Sequence, residues 1–312
     1  EEGNLVAFFG PDFKATFDKQ SGLLTSYLYK KHEYILNGQG PRPFFWRAPT
    51  DNDYGANLPV RLKAWKEASY QEPKAESFQV TPGSNATTVK VTYRFPQTEA
   101  RWNITYKIYA SGVIKVDNRF MAEGDQAPMI PRVGLRMQLP ESFTDLTYYG
   151  RGPKENYRDR RTSQFIGEYA IPVKDMYEPY VRPQENNHRT DIYWCALTDK
   201  TQRGLLLIAD RTFELNASNY PLESMDSGDT IDNGAPRTEK THHRHLTDPL
   251  PEKMVDLFID YRMMGVGGDD SWGATAHEPY LIRPGKENAI EYGFSLVPFD
   301  KKEDYKYLIR QY

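Results

Sequence analysis

MVDLFIDYRMMGVGGDDSW, residues 254–272, is the stretch around which the rest of the chain is interpreted. Its first half is rich in strand-forming residues. Its second half has three glycines within four residues, which give the backbone access to positive φ. A strand that runs into such a loop can hold the indole of Trp272 at the rim of a sheet, where a rigid scaffold presents it to a ligand. The alternative is a tight turn around a buried tryptophan, because most tryptophans serve packing.

Hydrophobic periodicity outside this stretch is that of strands. Apolar residues alternate or run together over short segments, and turn residues such as Gly, Asn and Pro separate these segments. The predicted strands cover residues 14–17, 23–29, 87–95, 102–109, 113–120, 132–139, 192–197, 204–209, 255–261 and 290–296. Many short strands with little helix predict an all-β fold, a large antiparallel β-sandwich.

One short helix is predicted over residues 59–69. Pro59 suits its first turn, and Leu62, Trp65 and Ala68 recur with helical spacing among charged residues. No linker-like composition divides the chain, so residues 1–312 are interpreted as a single domain. The polar residues 300–312 are predicted to be a terminal extension of it.

Composition excludes several classes of partner. The chain has 40 basic and 43 acidic residues and a net charge of −3, which argues against nucleic acid and against an anionic membrane surface. The longest apolar run, residues 205–209, is too short to span a bilayer. Cys195 is the one cysteine, so an internal disulfide is excluded, and its apolar neighbours predict a buried thiol. The first residues lack the features of a signal peptide, which leaves localisation open.

Five ordered motifs resemble the last domain of the large β-galactosidases of glycoside hydrolase family 2. The glycine-rich stretch at residues 263–272 resembles the C-terminal signature of that family. The other motifs are FWRAPTDND (45–53), YGRGPKENYRDR (149–160), DMYEPY (175–180) and THHRHL (241–246), and FDKQSGLL (17–24) fits the first hairpin of the domain. The resemblance extends from about residue 5 to residue 299.

The resemblance implies the supersandwich shared with galactose mutarotase, which agrees with the predicted strands. It also implies that the catalytic carboxylates lie in an upstream barrel domain of the same polypeptide, together with magnesium and sodium sites, so no cofactor and no metal is assigned to this chain. A β-galactoside is the implied ligand and the upstream barrel the implied intramolecular partner. Relatives of this kind are often dimers or tetramers, so a homo-oligomer of the full-length protein is expected.

A role in substrate binding is assigned to one residue, Trp272. The resemblance implies that this indole reaches toward the barrel and forms a platform for the sugar. An aromatic ring suits the C–H face of galactose, and such stacking contributes on the order of 1 kcal/mol beyond burial. The neighbouring Gly267, Gly268, Asp269, Asp270 and Ser271 are predicted to support the loop that aims the ring. In a weaker hypothesis, Asp269 or Asp270 is a ligand for a hard cation such as Ca²⁺.

Other chemistry-bearing residues are interpreted as structural. A retaining glycosidase needs two carboxyl groups about 5 Å apart. The acidic pairs considered are Asp51 with Asp53, Glu155 with Asp159, and Asp269 with Asp270. Their loop settings favour ion pairs and hydrogen bonds to backbone amides instead. His243 and His245 share a face if they lie on a strand, but no third metal ligand is evident, so structural histidines are predicted.

Two positions depart from the pattern of the resembled family. Asn187 stands where relatives usually have glycine, and it is expected to keep the left-handed backbone, which asparagine tolerates best after glycine. Tyr193 stands where relatives often have arginine. Two further functions remain open: an independent carbohydrate-binding module, suggested by the aromatic composition, and an aldose epimerase that uses His188 with Glu185 or Glu278 as its acid and base.

Overall fold

The fold is known from a computed structural model that describes residues 3–124, 128–228, 245–270, 273–301 and 303–311. The strands in these residues are β1 (Leu5–Phe9), β2 (Phe13–Asp18), β3 (Leu24–Tyr29), β4 (His32–Glu33), β5 (Arg42–Phe44), β6 (Ala75–Thr81), β7 (Ala86–Phe95), β8 (Ala100–Tyr109), β9 (Ile114–Ala122), β10 (Arg132–Pro140), β11 (Asp145–Gly152), β12 (Phe165–Pro172), β13 (Arg189–Thr198), β14 (Gly204–Ser218), β15 (Met254–Met263) and β16 (Ile290–Phe299). The α-helices are α1 (Asp51–Gly55), α2 (Leu58–Arg61), α3 (Lys63–Tyr70), α4 (Leu222–Met225) and α5 (Tyr305–Leu308), and short 3-10 helices cover Pro96–Thr98, Val173–Asp175 and Glu278–Tyr280.

The strands form two antiparallel sheets. Strands β1 to β4 form a four-stranded sheet in chain order, and a twelve-stranded sheet contains the rest. The path of the large sheet is β12-β11-β13-β14-β16-β9-β8-β7-β6, and β14 also pairs with β15, which continues to β10 and β5. The predicted antiparallel all-β class is confirmed. The large sheet is forked at β14, because that strand has one partner along its first half and another along its second half.

Two short helices occupy the region where one helix was predicted over residues 59–69. They are α2 and α3, and the chain breaks between them at Leu62, whose φ of −112° and ψ of 16° leave the helical region. A third helix, α1, lies in the segment that contains Asp51 and Asp53, for which the composition suggested a loop. The reason is a capping box: the Thr50 hydroxyl accepts from the Asp53 amide, and the Asp53 carboxylate accepts from the Thr50 amide.

The core between the sheets and the helices is strongly aromatic. Phe45 lies at its centre and is fully buried. Its ring centroid lies 4.9 Å from that of Trp65 on α3, 5.0 Å from Phe95, 5.4 Å from Trp102 and 5.7 Å from Phe120. Rings at these distances and tilted angles pack edge to face, which adds to the free energy of burial. Trp65 therefore attaches α3 to the aromatic core of the sandwich.

The small sheet and the C-terminal residues dock on the large sheet through further aromatic contacts. Phe17 of β2 lies 5.1 Å from Tyr106 of β8, centroid to centroid. The tail predicted as a terminal extension contains α5, whose Tyr305 packs 5.5 Å from Phe299 and 6.1 Å from Trp194. The predicted burial of the single thiol is confirmed, and this burial raises the pKa of Cys195. No helix among the described residues has the length and apolar character needed to cross a membrane.

We expect Phe45→Ala to lower the free energy of unfolding by about 3–5 kcal/mol, because truncation leaves a cavity surrounded by four rings. The measurement is equilibrium urea unfolding, in which the midpoint falls and the slope stays constant. Phe165→Ala is the matched control, since that ring is 72% exposed at the edge of the sheet and its loss is expected to change stability by less than about 0.5 kcal/mol. Equal destabilisation by the two substitutions would contradict the central position of Phe45.

Candidate functional site

The glycine-rich loop leaves the sheet where β15 ends at Met263. Gly267 and Gly268 have φ of +75° and +135°, values that L side chains rarely adopt. A Cβ added at Gly268 would meet no atom within 4 Å, so backbone conformation and not space requires glycine there. Both glycines therefore have the positive φ that the sequence indicated, and their role in supporting the loop that aims Trp272 stays a prediction.

Arg47 holds the start of this loop from the core side. Its Nη1 donates to the carbonyl of Met264 (2.6 Å) and its Nη2 to the carbonyl of Gly265 (3.0 Å). The same guanidinium forms a two-point ion pair with Asp53, Nε to Oδ2 at 2.9 Å and Nη2 to Oδ1 at 2.7 Å. Only 2% of Arg47 is exposed. The loop is therefore tied to α1 through a buried, fully bonded arginine.

Asp159 and Asn52 hold the middle of the loop. The two carboxylate oxygens of Asp159 accept separately, Oδ1 from the Val266 amide at 3.0 Å and Oδ2 from the Gly267 amide at 2.8 Å. Asn52 Nδ2 donates to the Val266 carbonyl at 3.0 Å. The close approach also explains Gly265, because a Cβ there would lie 2.6 Å from the Asp159 carboxylate. The loop thus has anchors from the 45–53 and the 149–160 motifs.

The acidic residues of the loop itself make contacts nearer to its outer end. Asp269 pairs with the imidazole of His277, and both side chains are largely exposed. Asp270 Oδ1 accepts from the Ala274 amide at 3.2 Å. Ser271 and Trp272 lie outside the described residues, so their predicted roles stay predictions.

Sequence reasoning missed three loop anchors: Arg47 and Asn52 were not singled out, and Asp159 was considered only as a member of an acidic pair. The sequence feature that could have indicated these anchors is their position within the motifs at residues 45–53 and 149–160. Asp159 was interpreted as an ion-pair residue among arginines, whereas its oxygens accept backbone amides of a loop more than 100 positions later in the chain.

Glu155 connects two further motifs to the site. One carboxylate oxygen is 2.6 Å from Arg160 Nη2 and accepts from the Tyr180 hydroxyl, and the other accepts from the Asn187 amide at 2.8 Å. Asn187 has φ of +60°, which confirms the left-handed backbone expected at that position. Its side chain is buried, and its Oδ1 accepts from the Ala217 amide at 3.3 Å.

The carboxylates considered for catalysis are thus engaged in structural contacts. Asp53 is paired with Arg47, Glu155 with Arg160, Asp159 with two amides and Asp269 with His277. Among the described residues, no group of three or more His, Cys, Asp or Glu side chains is arranged to hold a metal ion.

Most of the predicted histidine motif lies outside the described residues, including His243. His245, the described member of that pair, lies in an exposed turn and not on a strand. Its backbone amide donates to Asp248 Oδ2 at 3.0 Å.

A second set of polar residues is buried beneath the loop, around His188. The imidazole is fully buried: Nε2 lies 2.9 Å from Glu214 Oε2 and Nδ1 lies 2.7 Å from Asn216 Oδ1. Glu185 contacts Asn216, and Glu278 is on the surface in an ion pair with Arg283. An imidazole without access to solvent and with both nitrogens occupied does not fit the acid/base role of the epimerase alternative.

Asp260 is the most perturbed group of this buried set. Burial raises the pKa of its carboxyl to about 7, against the opposing charge of Arg132. Arg132 Nε lies 3.2 Å from Asp260 Oδ2, yet neither carboxylate oxygen has a hydrogen-bond partner of good geometry in the described part of the chain. Gly134 on the neighbouring strand leaves room for this carboxylate, because a Cβ there would lie 1.7 Å from Oδ1.

Comparison with known sequences shows one family over nearly all of the chain. The profile of the family described as "Beta galactosidase small chain" matches residues 9–296. A β-galactosidase of Priestia megaterium is 34% identical over 273 residues, which are 88% of this chain and 25% of that protein. A β-galactosidase of Halalkalibacterium halodurans is 30% identical over 294 residues, 93% of this chain and 27% of that protein. The chain therefore spans about a quarter of the length of these relatives.

Comparison with solved structures shows the fold. A galactose 1-epimerase from Lactobacillus acidophilus has a TM-score of 0.52 at 6% identity, over 95% of this chain and 98% of that chain. A putative aldose 1-epimerase from Escherichia coli K12 has a TM-score of 0.51 at 10% identity, over 95% of this chain and 99% of that chain. At such low identity the likeness concerns architecture alone, and it confirms the predicted galactose mutarotase-like supersandwich.

We expect Asp159→Asn to loosen the glycine-rich loop without unfolding the chain. The amide nitrogen of Asn would replace one of the two acceptor oxygens and would face a backbone N–H, at a local cost of about 1–3 kcal/mol. Hydrogen exchange at Val266 and Gly267 should become at least about tenfold faster. Asp145→Asn, on the exposed end of β11, is the control. Equal exchange at these two amides in both variants would show that Asp159 does not hold the loop.

The buried pair His188 and Asp260 predicts stability that falls as pH rises. Burial raises the pKa of Asp260 to about 7. Burial lowers that of His188, but the hydrogen bond and charge of Glu214 outweigh it and leave the His188 pKa above its usual value. Both groups bind protons more tightly in the folded state, so the unfolding free energy falls by up to about 1.4 kcal/mol per pH unit for each group. Asp260 contributes from about pH 4 to pH 7, and His188 contributes from about pH 6.5 upward.

The measurement is urea unfolding of the wild type and of Asp260→Asn at a series of pH values from 5 to 8. The variant cannot titrate at this position, so its stability should fall less steeply between pH 5 and 7. Asp191 acts outside this window, because hydrogen bonds and charges from Arg151 and Arg161 outweigh burial and keep its pKa below the usual value. Identical slopes in the two proteins would contradict the assignment to Asp260.

Proposed function

Because the chain belongs to the beta-galactosidase small chain family, we propose that it is the C-terminal domain of a β-galactosidase of glycoside hydrolase family 2. The full polypeptide hydrolyses terminal β-D-galactosides, such as lactose, by a retaining mechanism. The observation that supports this role best is the glycine-rich loop, which is held by side chains from two distant segments of the chain. The domain contributes binding geometry, and the reacting groups come from elsewhere in the polypeptide.

The catalytic carboxylates are proposed to lie in an upstream barrel domain. A retaining glycosidase uses one carboxylate as nucleophile and a second as acid and base, about 5 Å apart. The acidic residues around the present loop are bonded to arginines and amides, which suits structural positions. Magnesium and sodium ions are proposed to bind in the barrel. In the two β-galactosidases compared above, the three quarters of the chain outside the matched segment have ample length for such a domain.

Trp272 is proposed as the sugar contact of this domain. It follows Gly267, the last anchored residue of the loop, by five residues. An indole offers a flat, electron-rich face to the C–H groups of a pyranose ring. The contribution of this stacking to sugar binding depends on accurate placement of the indole. Arg47 and Asp159 support that placement because they fix the loop backbone at Met264 to Gly267. The full-length protein is further proposed to form a homo-oligomer.

An independent carbohydrate-binding module is the second candidate, and an exposed group of rings favours it. Tyr149 of β11 and Tyr193 of β13 are both exposed, with centroids 5.4 Å apart. Trp194 lies 6.4 Å from Tyr149 at an interplanar angle of 18°. Tyr149 and Tyr193 are tilted by 44° to each other, and Trp194 is partly covered by Tyr305, so the two tyrosines present the accessible aromatic faces, which suit stacking against sugars. In this alternative, galactose binds on the face of β11 and β13.

We expect Trp272→Ala in the full-length polypeptide to raise the KM for a chromogenic β-galactoside by about tenfold, because stacking and burial of the ring contribute on the order of 1 kcal/mol or more. Oligomer assembly, measured by size-exclusion chromatography, should be unchanged. Trp194→Ala is the matched control and should leave KM at the wild-type value. Unchanged kinetics of the Trp272 variant would remove this residue from the sugar site.

The same proteins separate the two candidates. The isolated 312-residue chain is expected to show no turnover, and measurable hydrolysis by it would overturn the proposed division of labour. Calorimetry with galactose and lactose tests the module: tight binding to the isolated chain that is lost in Trp194→Ala, but kept in Trp272→Ala, would support the second candidate in place of the first.

A further inference from the structure

The large sheet contains a cleft at its fork, away from the glycine-rich loop. On one edge of β14, the last rung with β16 pairs Ala209 with Phe294, and the first rung with β15 pairs Glu214 with Asp260. Residues 210–213 lie between these rungs and have no ladder partner on that edge. The two arms of the sheet separate there and leave an open space between β15, β16 and β9.

This cleft has the size and lining of a site for a small polar ligand. Its volume is about 730 Å³, within the range of about 300–1,000 Å³ that ligand pockets occupy. The walls carry hydroxyl and amide groups from Asn103, Thr105 and Thr212, and Tyr261 and Tyr292 also line the cleft. Hydroxyls and amides can exchange hydrogen bonds with the hydroxyl groups of a polyol.

The carboxylates on the cleft lining are already neutralised. Each one lies within ion-pair distance of its own cation: Asp117 near Lys107 (3.4 Å), Asp210 near Lys115 (2.5 Å), Asp191 near Arg151 (2.7 Å), Glu214 near Arg158 (3.3 Å) and Glu291 near Arg119 (2.9 Å). These groups therefore add little net negative potential to the cleft.

Two guanidinium groups of the lining are not neutralised in this way. Arg211 and Arg262 have no carboxylate within 4 Å in the part of the chain that the structure describes, and the contact found for Arg262 is with the ring of Tyr261, 4.9 Å from its centroid. They flank the point where β14 and β15 separate, just beyond the rung between Glu214 and Asp260. The cleft therefore presents a local excess of positive charge in a fork-shaped donor geometry that matches oxyanions.

We propose that the fork cleft binds an acidic saccharide, a mono- or disaccharide that carries a carboxylate, sulfate or phosphate group. Arg211 and Arg262 bind the oxyanion, and the side chains of Asn103, Thr105 and Thr212 bind the sugar hydroxyls. The site lies on the fork of the sheet, and the proposed galactoside contact lies on the glycine-rich loop, so the two are different sites.

The test measures equilibrium binding of galactose 6-phosphate, glucuronic acid, galactose and inorganic phosphate to the full-length polypeptide by calorimetry. The acidic sugars should bind more tightly than galactose and more tightly than inorganic phosphate. Arg211→Gln and Arg262→Gln should each weaken acidic-sugar binding by about tenfold or more, since a charge-assisted hydrogen bond is lost. Galactose should be affected little by either substitution.

Arg283→Gln is the matched control, because that arginine is exposed and pairs with Glu278 away from the cleft. It should bind all probes as the wild type does, and the hydrolysis of a chromogenic galactoside should be the same in all three variants. Urea unfolding establishes that each variant is folded. Absence of acidic-sugar binding, wild-type affinity in both cleft variants, or equal affinity for galactose 6-phosphate and inorganic phosphate would each overturn the proposal.

Discussion

The buried guanidinium of Arg47 is the interaction on which the arrangement of the site depends. A buried ion pair stabilises a protein little by itself, because removing both charges from water costs about as much as their attraction returns. The guanidinium of Arg47 offsets that cost with four hydrogen bonds. Two go to the carboxylate oxygens of Asp53, and two go to backbone carbonyls of the glycine-rich loop. A lysine ammonium has neither the reach nor the planar geometry to make these four contacts at once. The ion pair therefore specifies one position of the loop relative to α1.

The class of the fold was predictable because alternation of apolar and polar residues is a local property of the sequence. The positive φ values were predictable for the same reason, because each depends on the conformational range of one residue. They occur at Gly267, Gly268 and Asn187. The roles of Arg47 and Asp159 were not predictable, because both side chains bond backbone groups more than 100 positions away. Every residue has the same backbone amide and carbonyl, so the sequence does not show which of them is a partner. The sequence feature that pointed to these roles was the presence of both motifs in the same chain as the glycine-rich loop.

The predicted boundaries of helices and strands were wrong where tertiary contacts override the local sequence pattern. The predicted helix 59–69 is broken at Leu62, a buried residue that belongs to the aromatic core, and Thr50 starts a helix in a segment whose composition suggests a loop. The strand predicted over residues 204–209 continues as β14 to Ser218. Its continuation was hidden by the polar residues Asp210, Arg211 and Thr212, which interrupt the apolar run at the point where the strand changes partners.

Glu214 connects the fork of the sheet to the loop. It forms the first rung with β15 beyond the fork, and its Oε1 faces Arg158 on the lining of the cleft. Its Oε2 accepts from His188 Nε2 and from the backbone amide of Met263, the last residue of β15 before the loop. A charge placed in the cleft and the backbone conformation at the start of the loop therefore act on the same buried carboxylate. Because buried carboxylates interact strongly with their neighbours in a low dielectric, this residue links the two regions directly.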